Sequence, residues 1–260
     1  MYESIEDWNT TVPNAGRIYD HLLGGASNFI YDREAAEDIL TALPQARSIA
    51  RANRAFLTTV VRHLLDLGIR QFLDIGSGIS AVQPIHEIAV DARIVYVDRD
   101  PTAVAHNTFA LYNRWDATAV RCDLRYPDDL LSNDGVRDVI DFDQPVALLL
   151  MAVLQFVADS DAYPAVATLR DALAPGSYLA LSHPVATPAA AEYSASIVQV
   201  YRRTTTPILS CRDRTQIARF YEGWDLVPPG LASVAAWRPG ADTGTDIGDF
   251  PVVGALARKP

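Results

Sequence analysis

Arg70-Gln71-Phe72-Leu73-Asp74-Ile75-Gly76-Ser77-Gly78 reads as an apolar strand that delivers a carboxylate into a tight Gly-x-Gly turn. A second apolar run, 93 to 97, ends at Asp98, which lies 24 residues beyond Asp74 and 22 beyond Gly76. In a doubly wound α/β fold that offset places two acidic side chains at the carboxyl ends of adjacent parallel strands, where a nucleoside ligand lies across them. Gly76 and Gly78 let the chain turn sharply and bring backbone N–H groups close to such a ligand.

Ala81 completes a Gly-x-Gly-x-x-Ala pattern, which taken alone fits NAD or FAD. Asp74, two positions before the first glycine, discriminates between cofactors. A pyrophosphate gains nothing from a carboxylate there, whereas the cationic amino group of S-adenosylmethionine does. Asp98 can accept hydrogen bonds from both ribose hydroxyls of either cofactor, so it supports the site without choosing. An NAD-dependent oxidoreductase stays open as the alternative on this evidence.

Working outward, apolar runs and amphipathic segments alternate. Strands are expected at about 70–75, 93–98, 118–122, 145–151 and 177–182, with helices near 84–90, 101–110, 127–132 and 162–173. The run from Val146 to Leu154 is the most apolar and belongs at the centre of a sheet covered on both faces. Upstream, Asn14 can start a helix over 15–23 that stops at Gly24-Gly25, and a second helix is expected over 32–40. Ile49, Phe56, Leu57, Val60, Val61, Leu64 and Leu65 then mark a third helix ended by Gly68. Residues 1–13 read as a loose arm. Downstream, 188–201 and 213–221 have helical character, 224–237 suits a strand and a returning loop, 238–249 an external loop, and 250–257 an edge strand.

Composition narrows the partners. The 260 residues suit one α/β domain with decorations, and 32 Asp plus Glu against 22 Lys plus Arg give a charge of -10, which disfavours nucleic acid. Cys122 and Cys211 suggest no disulfide framework, and five scattered histidines suggest no metal site. An acidic N-terminus and the lack of a long apolar stretch point to a cytoplasmic protein without a membrane span. A homodimer or a partner protein is left open.

Further candidate site residues follow the strands. Asp123, with Leu124 beside it, is placed to meet an adenine amino group, although a turn-capping role is equally natural. The stretch from Met151 to Phe156 should line the sulfonium side, with Leu154 or Phe156 as apolar walls. An alcohol or phenol acceptor would profit from a base, and His183 after the fifth strand is the best-placed imidazole, followed by His21 and Tyr19.

The segments Pro13-Asn14-Ala15-Gly16-Arg17-Ile18-Tyr19-Asp20-His21-Leu22-Leu23-Gly24-Gly25, Asn28-Phe29, Asp32-Arg33-Glu34, Asn53-Arg54, Val95-Tyr96-Val97-Asp98, Asp123-Leu124-Arg125, Pro229-Gly230-Leu231 and Trp237-Arg238-Pro239 join the opening stretch in one order. Together they resemble the actinobacterial S-adenosylmethionine-dependent methyltransferase family, once catalogued as a domain of unknown function and now grouped with the class I methyltransferases. The resemblance implies an α/β Rossmann-like class I methyltransferase sheet with helices on both faces and an N-terminal helical lid. It divides the chain into a helical cap over 1–67 and an α/β domain over 68–260, with an additional segment at about 185–249. It also places Arg17, Tyr19, Asp20 and Asn28 near the methionine end or the substrate, and implies methyl transfer to a small molecule. The chain departs from the family pattern at 79–86 and at Gln155, where the family carries a histidine before Phe156. These departures leave the nucleoside end intact. They leave room at the substrate end for a bound cofactor put to a different or partner-dependent reaction.

Overall fold

The computed structural model describes residues 9–79, 82–188, 190–240 and 251–260. The strands are β1 Gln71–Ile75, β2 Arg93–Asp98, β3 Ala117–Arg121, β4 Ala147–Met151, β5 Tyr178–Pro184, β6 Asp225–Leu226, β7 Ala232–Ser233 and β8 Val252–Arg258. The helices are α1 Ala15–Leu23, α2 Ile30–Ala42, α3 Ala46–Asp66, α4 Ile85–Ile88, α5 Pro101–Ala110, α6 Pro127–Ser132, α7 Asp134–Arg137, α8 Asp159–Ala172, α9 Ala191–Tyr201 and α10 Arg214–Ala218.

The strands form one mixed sheet of order β3-β2-β1-β4-β5-β8-β6, with β7 also paired to β8. β1 runs parallel to β2, Asp74 opposite Tyr96, and parallel to β4, Asp74 opposite Leu149. The order reverses at β1, so the crevice outside its carboxyl end is the expected ligand position. Strand alternation divides the interior between two faces. Leu73, Ile75, Val95 and Leu148 pack with α6, α7 and α8 on one face. Phe72, Ile94 and Leu149 pack with Phe56, Val60 and Leu64 of α3 on the other.

β4 lies centrally, as its apolar run requires. That run ends as strand at Met151 because Ala152 takes a left-handed conformation at φ 51 and turns the chain into a short 3-10 segment, Leu154–Phe156. The expected edge strand is a correction. β8 pairs with β5 over seven residues, and two-residue β6 and β7 cover its far side, which is why Val252 to Ala257 are buried. The helix expected over 84–90 shortens to α4, and α2 begins two residues early because Asp32 accepts from the Phe29 N–H at 2.9 Å.

A third, smaller core joins Ile18 and Leu22 of α1, Ala36 and Ile39 of α2, Ala46 and Ala50 of α3, and Val200 of α9. The first turns of α3 thus serve this cap, while its later turns lie on the sheet. Asn14 caps α1 through the Gly16 and Arg17 N–H groups, and Gly24 closes it at φ 87. Ala81, residues 1–8 of the expected 1–13 arm and most of the expected 238–249 loop fall outside the described residues.

Candidate functional site

At the carboxyl end of β1 the Gly76 and Ser77 N–H groups both reach the Val97 carbonyl, at 2.8 and 3.1 Å, which closes the turn onto β2. Gly76 stands at φ 70, and a Cβ there would lie 2.2 Å from Val153 Cγ2. Glycine is therefore required by both conformation and space. Asn107 of α5 straps the turn from outside, donating to the Gly78 carbonyl at 2.9 Å. Asp98 anchors it from β2: Oδ2 accepts from the Gly78 N–H at 2.8 Å and Oδ1 from the Asp100 N–H at 2.9 Å. Asp100, in turn, caps α5 through the Thr102 N–H, so Asp98 faces the crevice rather than capping that helix.

These groups line a cavity of about 160 Å3. Asp74, Gly76, Gly78, Asp98, Asp123, Leu124, Met151 and Tyr19 all border it. Asp74 is 3% exposed, and among the described residues no hydrogen-bond donor or ion-pair partner meets its carboxylate. Burial pushes this carboxyl up to about 7; the Arg54 guanidinium pulls against that rise and Asp98 adds to it. Burial raises the Asp98 carboxyl as well, opposed by the N–H groups of Asp100 and Gly78. The cavity floor thus carries two adjacent carboxylates in a poorly solvated crevice, an arrangement suited to a ligand that brings a positive charge and hydroxyl donors.

Asp123 borders the cavity but is engaged. Arg125 binds it through the backbone N–H at 3.0 Å and through Nη2 at 2.5 Å, with Arg99 at 3.8 Å. Partial burial alone would raise its carboxyl, yet Arg125 and Arg99 together hold it below its usual value. Leu124 follows it on the cavity wall. Phe156 also borders the cavity, whereas Leu154 is fully buried in the core.

Five of the candidate residues are placed as follows. His183 is completely buried: Nδ1 meets the Pro184 carbonyl at 2.6 Å and Nε2 meets Arg212 Nη1 at 2.8 Å. Burial, with Arg212 beside it, lowers its imidazole to about 4, so it is a neutral link in the core and not a base facing a substrate. His21 lies on the outer side of α1 against Glu37 and Arg47, outside the cavity lining. Arg17 is 2% exposed and clamps Asp32 at 2.9 Å, Asp100 at 3.4 Å and the Val12 carbonyl at 2.6 Å. It ties α1 to α2 and α5 instead of reaching into the cavity. Asn28 donates to Asp20 Oδ2 and to the Gly25 carbonyl, stabilising the turn after α1. Tyr19 does border the cavity, but its hydroxyl donates to the Ala50 carbonyl at 3.0 Å and burial raises it, so it is a neutral phenol rather than a base.

Sequence reading missed Arg54 and Asn53 as members of the site, while Gln155 falls within the expected 151–156 wall. Arg54 donates through Nε to the Val82 carbonyl and through Nη2 to the Gln83 carbonyl, which leaves Nη1 without an acceptor among the described residues. Asn53 donates to the Tyr19 hydroxyl, and Gln155 to the Ala152 carbonyl at 2.6 Å. The available signal was two adjacent polar residues on the buried stripe of an amphipathic helix. Among the described residues, no group of three or more His, Cys, Asp or Glu could hold a metal ion, and no helix is long and apolar enough to cross a membrane.

Residues 2–260 match the family described as S-adenosyl methyltransferase. A solved protein of the family designated DUF574 from Streptomyces avermitilis is 35% identical, with a TM-score of 0.88, covering 97% of this chain and 99% of its own. A methyltransferase candidate from Thermobifida fusca is 33% identical at the same TM-score of 0.88, covering 100% and 99%. The magnesium protoporphyrin IX methyltransferase of Synechocystis, solved with S-adenosylhomocysteine, is 14% identical with a TM-score of 0.55 over 94% and 93%, a likeness of fold alone. No curated protein matches the chain.

Proposed function

Because the chain belongs to the S-adenosyl methyltransferase family, we propose that the cavity at the end of β1 holds S-adenosylmethionine for transfer of its methyl group to a small molecule. The observation that carries this reading is Asp74, a buried carboxylate with no partner among the described residues, beside a glycine turn. A cationic amine relieves that charge, whereas a pyrophosphate would aggravate it. The residues present therefore fit the cofactor. Asp74 takes the amino group, the free nitrogen of Arg54 takes the carboxylate, and Asp98 accepts from the ribose hydroxyls. Leu124 and the backbone around Asp123 border the adenine, the Asp123 carboxylate being held by Arg125. Met151, Val153 and Phe156 wall the sulfonium side.

When bound, the cofactor supplies a methyl group on a sulfonium, which is already a charged leaving group. The chain then contributes alignment and exclusion of water more than acid–base chemistry. Arg17 helps here indirectly, by fixing α1 so that Gly16 meets the glycine turn, its Cα 3.6 Å from where a Cβ on Gly78 would stand. With His183 sealed in the core, the acceptor's proton has a route to solvent rather than to an imidazole. Thermal denaturation with S-adenosylhomocysteine and NAD tests the reading: the first should raise the midpoint and the second should not. A midpoint raised by NAD alone would refute it.

A further inference from the structure

Resting on the methyl-transfer reading, we propose that a second chamber, opening off the cofactor cavity, binds the acceptor, and that the acceptor is an uncharged, largely apolar molecule presenting a hydroxyl to Asn53 and Gln155. The chamber measures about 170 Å3 and lies among α1, α2, α3 and α9, walled by residues such as Leu22, Ile39, Ile49 and Ile197. Among the described residues, its lining contains no Asp, Glu, Lys, Arg or His. A dry apolar cavity of about 150 Å3 holds one benzene ring, so this one suits a single ring with a short substituent. A carboxylate, phosphate or ammonium would enter it without a counter-charge, which the absence of ionised walls penalises.

The two spaces share six lining residues, Tyr19, Asn53, Ala152, Gln155, Phe156 and Tyr201, which stand at the boundary we take as the neck between them. Two of these carry an unmet demand. Asn53 is 4% exposed and Gln155 is 7% exposed, and Asn53 Oδ1 and Gln155 Oε1 are buried acceptors with no hydrogen-bond partner among the described residues. Their amide nitrogens are already committed, to the Tyr19 hydroxyl at 3.0 Å and the Ala152 carbonyl at 2.6 Å, which orients both oxygens. Buried acceptors in folded proteins are rarely left unmet. A donor brought by the ligand meets one or the other of them and sits where the apolar chamber and the cofactor cavity adjoin.

A hydroxyl fits better than an ammonium, because no anionic wall is present to hold a cation. In the transfer an oxygen lone pair forms the bond to the methyl carbon while the carbon–sulfur bond breaks and its electron pair returns to sulfur. The hydroxyl proton leaves to water. The methylated product has lost its donor, so Asn53 and Gln155 hold it less well than the substrate and favour its release.

Calorimetry on the intact chain tests this, first with S-adenosylhomocysteine and then, on the loaded protein, with 4-propylphenol, 4-propylanisole and 4-propylbenzoate. The phenol should bind at least tenfold more tightly than the anisole, and the benzoate should not bind. Gln155→Leu should narrow the preference for phenol over anisole, and Ala46→Phe, which fills the chamber, should abolish phenol binding in a protein that still binds S-adenosylhomocysteine. The proposal is overturned if phenol and anisole bind equally, if the benzoate binds most tightly, or if the loaded protein ignores the phenol. Failure to bind S-adenosylhomocysteine at all would instead remove the methyl-transfer reading on which it rests.

Discussion

Asp74→Asn should stabilise the unliganded protein while disabling it. The ionised carboxylate is buried without a partner among the described residues, and its carboxyl stands at about 7 against an ordinary 3.8. A folded-state value above the unfolded one means the folded chain binds the extra proton between those limits. The cost of ionisation is therefore absent below pH 3.8, grows through the interval, and is complete above about 7. Its full size is about 4 kcal/mol at pH 8. An uncharged asparagine removes most of that, so the variant should gain roughly 2 to 4 kcal/mol at pH 8, or about 4 to 16 °C in Tm for a chain of this size. The gain should vanish near pH 4. His183 acts in the opposite sense, since its imidazole is lowered to about 4 and its cost grows as the pH falls below 6.5. Taking the difference between variant and wild type cancels that contribution. The assay is urea unfolding at pH 4, 6 and 8, paired with S-adenosylhomocysteine calorimetry, where the variant should lose at least tenfold in affinity at pH 8. Wild-type affinity should itself fall by about tenfold per pH unit from 7 to 5 as the carboxylate protonates. A variant less stable than wild type at pH 8, a gap that does not shrink on acidification, or unchanged ligand affinity would refute the reasoning.

Asp98→Ala removes the acceptor shared by the Gly78 and Asp100 N–H groups, and should weaken S-adenosylhomocysteine binding at least tenfold with a loss of about 1 to 3 kcal/mol in unfolding free energy. Gly76→Ala puts a Cβ 2.2 Å from Val153 Cγ2 at φ 70 and should cost about 2 to 5 kcal/mol, read as a lower urea midpoint. Arg17→Met strands the buried carboxylates of Asp32 and Asp100 and should cost about 3 to 5 kcal/mol by chemical denaturation, although Arg17 borders neither cavity.

The chain's local pattern already marked the residues that border the cavity at the end of β1. Asp74, Gly76, Gly78 and Asp98 are legible because each lies at the end of an apolar strand or in the turn that follows, where position along the chain dictates position in space. The centrality of β4 and the ends of α1 and α3 follow from the same periodicities and turn residues, whereas the strand order is read only from the sheet. The surroundings of the second chamber were not legible. His183 and Arg17 have the residue types of a base and an anion holder, yet Arg212 and Asp32, reached only by folding, turn one into a core link and the other into a clamp. Asn53 and Gln155 are about a hundred residues apart in the chain and meet only when α3 closes over the end of β4. Periodicity reports which face of an element is buried, not which distant side chain it is buried against. Direction, partner and the resulting charge state therefore belong to the tertiary structure.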